Sequence, residues 1–222
     1  MNGMIERFPE PTRTIMTIAE HEADRLGHNY IGCEHLLVAL ALQADTFAGR
    51  VLADHGLDPD VIRAQLNRLV DVGVLPPPWH NDIDLLRGLG VDLHRVMQAA
   101  RAAFGDTAVD DAARDVSRRA GWTPACGRAI LTKQAFSYAG QSRRQRGRPV
   151  IEADDLLIGV LRDAEEPLHR PRCFNNRWRR QLRSRLGLPH HGPSPVRLIV
   201  EHRGYDPAAL RRAAEATLQA AT

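Results

Sequence analysis

The residues best suited to chemistry are three histidines and a cysteine close in sequence, His21, His28, Cys33 and His35. Two acidic positions head apolar runs: Glu34 in Cys33-Glu34-His35-Leu36-Leu37, and Asp154 in Ala153-Asp154-Asp155-Leu156-Leu157. Zinc would need three or four such ligands at HExxH or CxxC spacing, and neither pattern occurs, so no metal is expected. No Ser-His-Asp order or paired-carboxylate arrangement stands out from ordinary surface charge, so acid–base or nucleophilic catalysis has no positive support. Acids are favoured in the first turn of a helix, which gives Glu34 and Asp154 a capping role without any ligand. The third group is cationic: Arg170, Arg172, Arg177, Arg179, Arg180, Arg183 and Arg185 lie within residues 164–193, which carry about +5 against Glu165 and Glu166. Clustered guanidinium groups suit an acidic protein surface, or nucleic acid at a stretch, and are equally at home in a segment with no role.

The elements that carry these groups read as helices. Over 12–26, Ile15, Ile18, Ala19, Glu22, Ala23 and Leu26 recur at helical spacing, with Gly27 as a stop. Residues 34–43 form a second, mostly apolar helix and 47–55 a third, closed by Gly56; Asp58-Pro59 caps a fourth through Val70. Gly73-Val74-Leu75-Pro76-Pro77-Pro78-Trp79 breaks helix and acts as a linker. Helices follow over 82–87 and 92–104, ended by Gly105, and 110–120 is a weaker helix or tether. Within the basic segment, Trp178, Leu182 and Leu186 fall at i, i+4, i+8, so a short amphipathic helix can form there.

Two stretches are the same unit written twice. Leu36-Leu37 corresponds to Leu156-Leu157 at an offset of 120, and Gly56-Leu57-Asp58-Pro59 to Gly204-Tyr205-Asp206-Pro207 at 148. Phe8-Pro9 pairs with Trp122-Thr123 at 114, which implies six extra residues around 141–148 and 28 more before the third helix of the second unit. The division expected is 1–70, a linker with extra helices over 71–121, and a second unit over 122–220 with its insertion at about 164–193.

The run Leu26-Gly27-His28-Asn29-Tyr30-Ile31-Gly32-Cys33-Glu34-His35-Leu36-Leu37, with Met4-Ile5-Glu6-Arg7-Phe8-Pro9 before it, resembles the Clp N-terminal repeat domain, above all that of ClpC-type unfoldases. Cys33 stands where that family has Thr. The second unit lacks the Gly-His-Asn-Tyr run. The resemblance implies an all-α fold of two four-helix repeats related by a pseudo-twofold axis. It also implies two pockets able to hold a phosphorylated arginine, with Glu34 and Asp154 as carboxylates and Thr123 as a hydroxyl; Pro9 replaces the matching Thr in the first. Ile5 and Phe8 would belong to the ligand face.

Of the 30 Lys and Arg residues, all but Lys133 are Arg, a bias that a GC-rich genome explains. Lys133 in Leu131-Thr132-Lys133-Gln134 cannot form a P-loop, so no such ATPase module is encoded in these residues. Three cysteines without CxxC spacing and the absence of a long apolar run point to a reducing, cytoplasmic setting. The reading is a non-enzymatic, cofactor-free module that mimics an unfoldase N-domain and sequesters or delivers substrates or adaptors of a Clp protease system. Its partners would be Clp subunits, adaptors or their client proteins. Two alternatives stay open: a binder of an acidic protein or nucleic acid through Arg177, Trp178, Arg180 and Arg183, and a hydrolase dependent on His28 or His35.

Overall fold

The computed structural model describes residues 8–78, 90–119, 129–168 and 176–220. The first unit holds α1 (Thr12–Arg25), β1 (Tyr30–Ile31), α2 (Cys33–Ala41), α3 (Phe47–Asp54) and α4 (Pro59–Asp71). Between the units lie α5 (Leu93–Phe104) and α6 (Asp106–Arg119). The second unit holds β2 (Ala129–Ile130), α7 (Lys133–Gln145), α8 (Ala153–Glu165), α9 (Asn176–Arg185), α10 (Pro195–His202) and α11 (Pro207–Ala220). Among the described residues the fold is all-α apart from the two-residue β1–β2 pair. The helix foreseen over 82–87 lies outside the described residues, and α6 begins four residues earlier than the polar run at 110 suggested.

α2 and α8 are the centre. Every residue of α2 is buried, as are ten of the thirteen of α8. Each is flanked by its own unit's first and last helices, and the cross-contacts are reciprocal: α10 packs on α2, and α3 packs on α8. Since α3 and α10 occupy the same place in the repeat, this reciprocity is what an approximate twofold requires. One apolar cluster runs through both units and takes in Leu182, Leu186 and Leu188 of the insertion.

The repeat register is tighter than the tripeptide match suggested. Gly27 and Gly147 both adopt positive φ, 65° and 66°. The residue after each donates its N–H five residues back, His28 to Ala23 and Arg148 to Arg143. Thr12 and Thr132 are both buried at the start of their helices. From Thr12 to Ala41 the second unit therefore follows at a constant offset of 120 with no insertion, and the six-residue addition at 141–148 is withdrawn. A helix stop in left-handed conformation is a stronger anchor than three residues of a loop. Thr46 and Ser194 cap α3 and α10 in the same way, accepting from Gly49 N and Arg197 N, at an offset of 148.

The units interlock at their leading segments. β1 and β2 run parallel, Tyr30 opposite Ala129 and Ile31 opposite Ile130, and Leu131 N donates to Ile31 O at 2.9 Å. The matching carbonyl of the other unit, Ile151 O, faces Pro11, which has no N–H. Thr12 Oγ1 supplies the missing donor at 2.7 Å.

α7 and α8 pack closest of all, because Gly159 sits at the crossing where α2 has Ala39. A Cβ on Gly159 would lie 2.3 Å from Ala135 O and 2.9 Å from Ala139 N. Backbone cannot rotate away as a side chain can, so Gly159→Ala should destabilise by about 2–3 kcal/mol. Urea unfolding measures this; an unchanged midpoint would refute the close approach.

Candidate functional site

The repeat register brings the candidate residues into two equivalent places, the first turns of α2 and α8. Glu34 is buried, 4% exposed, and its carboxylate folds back over Gly32. A Cβ on Gly32 would fall 2.3 Å from Glu34 Oε1. Gly32 has φ −106°, which any residue adopts, so glycine is needed here for room. In the second unit the sizes are exchanged: Glu152 replaces Gly32, and the shorter Asp154 replaces Glu34.

Beside Glu34, the rings of His28, Tyr30 and His35 form a buried cluster with centroids 5.1–5.4 Å apart. Gly32 N donates to His35 Nδ1 at 2.9 Å, which leaves the proton of a neutral His35 on Nε2. Nε2 lies 3.0 Å from His28 Nδ1 and donates to it, so His28 carries its proton on Nε2. Burial, reinforced by His35, lowers the His28 pKa to about 4, so the His28 ring is neutral at pH 7. Burial and then Glu34 push the Tyr30 phenol well above its ordinary range. Cys33 Sγ donates to Asp163 Oδ2 at 3.4 Å, and burial followed by Asp163 raises its pKa. Among the described residues no group of three or more His, Cys, Asp or Glu could hold a metal ion.

The second unit replaces this neutral cluster with ions. At the positions of Leu26 and His28 it has Arg146 and Arg148; at that of His35 it has Asp155. Asp155 is fully buried and accepts from Ser142 Oγ at 2.7 Å, Arg146 Nη1 at 3.3 Å and Glu152 N at 3.2 Å. The last bond repeats the one His35 makes to Gly32. Asp154 Oδ2 meets Arg146 Nη2 at 3.1 Å and Arg148 Nη1 at 2.9 Å, and Arg148 also reaches Glu152 at 2.5 Å. An open cleft of about 920 Å³ adjoins this network, lined in part by Arg146, Arg148, Arg162 and Arg211. Its walls mix both signs: Arg211 pairs with Glu165 and Glu215, and Arg162 lies over the Tyr138 ring.

Arg183 turns inward. Its Nε donates to Pro189 O at 2.6 Å, while Nη2 is buried and makes no hydrogen bond among the described residues. Burial lowers its pKa, opposed first by Glu34 and then by Tyr30, Cys33 and Asp163. The insertion thus brings a guanidinium to the Glu34 neighbourhood.

Of the other expected site residues, Phe8 is half-buried and stacks on Phe136 of α7 at 5.1 Å, packing the two units together. Ile5 and Thr123 lie outside the described residues, as do the side chains of Arg177, Trp178 and Arg180 on α9. The 120 offset puts Ala129, not Thr123, opposite Pro9, so neither unit has a hydroxyl at that position. Sequence reasoning missed Arg146 and Arg148. Aligning Gly147 with Gly27 would have exposed the exchange of His28 and His35 for Arg148 and Asp155.

The chain is thus built of two helical units related by an approximate twofold, each with a buried acid at the head of its central helix. Residues 7–110 match the family model described as "Clp repeat (R) N-terminal domain" and are homologous to the N-domains of ClpC and ClpB. A chloroplastic chaperone protein ClpC of Pisum sativum is 43% identical over 63 residues, 28% of this chain and 7% of that protein. A chaperone protein ClpB of Oceanobacillus iheyensis is 36% identical over 73 residues, 33% of this chain and 9% of that one. A probable ATP-dependent Clp protease ATP-binding subunit of Chlamydia pneumoniae is 37% identical over 70 residues, covering 32% and 8%. The matched segments therefore span less than a tenth of these relatives.

Two outcomes follow. Removing one partner of a buried ionic network leaves the others uncompensated. Asp155→Ala should cost about 3–5 kcal/mol by that argument, and Asp154→Ala, whose side chain reaches solvent, clearly less; equal losses in urea unfolding would contradict the network. The second outcome concerns pH. His28 titrates near 4 folded and about 6.5 unfolded, so the unfolded chain binds more protons between those values. Stability is fully present above pH 6.5 and falls on the order of 3 kcal/mol as pH drops toward 4. Unfolding of His28→Gln across that range should lack this component; an unaltered slope would refute it.

Proposed function

We propose that this chain is a protein-binding module that presents the recruitment surface of a Clp unfoldase N-domain and sequesters or delivers the substrates or adaptors of a Clp protease system. The observation that carries this reading is the first unit. Its Leu26-to-Leu37 run resembles the ClpC-type core with Cys33 alone exchanged, and it lies in the segment homologous to ClpC and ClpB. Its residues Tyr30, Ile31, Leu36 and Leu37 are fully buried, so the core that shapes the surface is kept. Binding of a phosphorylated arginine at Glu34 or Asp154 finds less support, because Asp154 is ion-paired to Arg146 and Arg148, and Glu34 is buried with its carboxylate folded back over Gly32. Ligands are then recruited over the outer faces of the helices. For the alternative, Arg183 turns inward and does not serve an acidic partner or a nucleic-acid phosphate.

The test is degradation of a fluorescent client by a reconstituted ClpC-type unfoldase and its protease. Added in increasing amounts, this chain should change the rate saturably: a fall indicates sequestration, a rise delivery. A flat response at all concentrations overturns the proposal. An effect abolished between about 0.05 and 0.2 M salt transfers support to arginine-mediated binding, because counterion release gives phosphate contacts that steepness.

A further inference from the structure

Between the two units the chain forms a pair of helices that the shared core does not use. α5 (Leu93–Phe104) and α6 (Asp106–Arg119) are joined by Gly105 alone, which takes φ 80°. Among the described residues their main packing is on each other, and none of their described side chains belongs to the apolar cluster of the two units. α5 nevertheless carries the pattern of a helix with a covered face. Val96, Met97, Ala100 and Phe104 fall in one stripe at helical spacing. That stripe meets solvent: Val96 is 51% exposed, Met97 43% and Phe104 73%. Of the pair's described side chains, Ala100 and Val109 alone are half-buried and the others are exposed. Helices of 12 and 14 residues draw their stability from covering an apolar face more than from propensity. The stripe therefore calls for a cover that the rest of the described chain does not supply.

The charges beside the stripe say what that cover is. On α5 they are basic, Arg95 and Arg101 together with His94; on the first turns of α6 they are acidic, Asp106, Asp110 and Asp111. Within one chain this opposition is poorly used. Arg101 reaches Asp106 only at 3.8 Å and Asp110 at 3.5 Å, with all three side chains exposed. Arg95 bonds Asp92 through its backbone N, and its guanidinium has no partner among the described residues. A twofold that lays α5 of one chain on α6 of another brings opposite signs together twice, because every contact of an isologous interface occurs in duplicate. Laying α5 on α5, or α6 on α6, would oppose like charges. An anionic lipid surface, another common cover for a basic amphipathic helix, meets Asp106, Asp110 and Asp111 and is repelled. Small side chains on both helices, Ala99 and Ala103 on one and Ala108 and Ala112 on the other, suit a close interaxial distance of about 8 Å.

We propose that the α5–α6 pair is a self-association surface, covered by a second copy of this chain that docks its α6 on α5 and its α5 on α6. Met97 and Phe104 of both copies then lie inside a four-helix contact, with Arg95 and Arg101 of each facing the aspartates of the other. The helices are only about 18 and 21 Å long, so the interface is small and of the reversible class. This goes beyond the module reading and does not need it. α5 and α6 lie between the two repeat units, and the dimer forms whatever those units bind. Where the module reading also holds, pairing puts two recruitment surfaces on one particle and raises avidity for a partner with several sites.

Sedimentation equilibrium of the full chain reads the association directly. Between about 1 and 100 μM the parent should pass from monomer toward dimer, as a small reversible interface does. Phe104→Glu places a charge inside the contact and should weaken association at least about tenfold. Arg95→Glu with Arg101→Glu, and separately Asp110→Arg with Asp111→Arg, should each leave the chain monomeric. An equimolar mixture of the two double variants should restore a dimer of one of each, because the reversed α5 then meets the reversed α6. A parent that stays monomeric, a Phe104→Glu chain that associates like the parent, or a mixture that stays monomeric overturns the proposal. If circular dichroism shows that the double variants lose helix, hydrogen exchange of the parent decides instead. Exchange over 93–112 should slow about tenfold from the dilute to the concentrated sample while α2 is unaffected. Exchange independent of concentration overturns the proposal. So does a monomeric chain in which a Clp unfoldase or anionic vesicles protect 93–112, which gives the surface to that partner. A dimer that leaves client degradation unchanged at all concentrations would refute the module reading alone.

Discussion

Two apolar helices buried on all sides cannot keep their first turns in water. α2 and α8 pass through the centre of the molecule, and the polar residues that begin them, Glu34 and His35 in one and Asp154 and Asp155 in the other, are drawn inside with them. Unpaired, each would cost more than a surface contact returns. The rest of the polar interior answers that demand. The first unit meets it with neutral histidines passing one proton chain from Gly32 to His28, and the second with arginines from the preceding turn.

The two solutions differ in physical kind. A neutral relay costs little desolvation and holds only while both rings stay uncharged. An ionic network costs more to bury, and its members depend on one another, so it tolerates fewer single changes. The exchange is coordinated over four positions: residues 26, 28, 32 and 35 become Arg146, Arg148, Glu152 and Asp155. Glu34 shortens to Asp154 where Gly32 gains a side chain.

Much of this was legible in the sequence. The helices of the first unit, the doubling, the long insertion and its amphipathic helix all follow from periodicity, caps and glycine stops. The first unit was clear because its buried face repeats at helical spacing. The second was misaligned at its start because Trp122-Thr123-Pro124 looked like Phe8-Pro9, although Gly147 carried the real register. The inward turn of Arg183 was not legible: an arginine among seven in a polar run shows nothing of which one is buried with its Nε on Pro189 O. Phe8 likewise read as a ligand-facing aromatic, whereas Phe136, which decides its place, lies in the other unit. Pairings between units depend on the twofold, and local patterns do not contain it.

The interlock at the leading segments alters what the covalent chain contributes. Thr12 reaches across to Ile151, Leu131 reaches across to Ile31, and Phe8 stacks on Phe136. Each unit therefore closes part of its own edge with backbone from the other. The peptide links between α4 and β2 set the concentration at which the halves meet, but they are not the bond between them. A chain cut there has every non-covalent reason to remain one body, and new termini placed there would leave the shared core as it is.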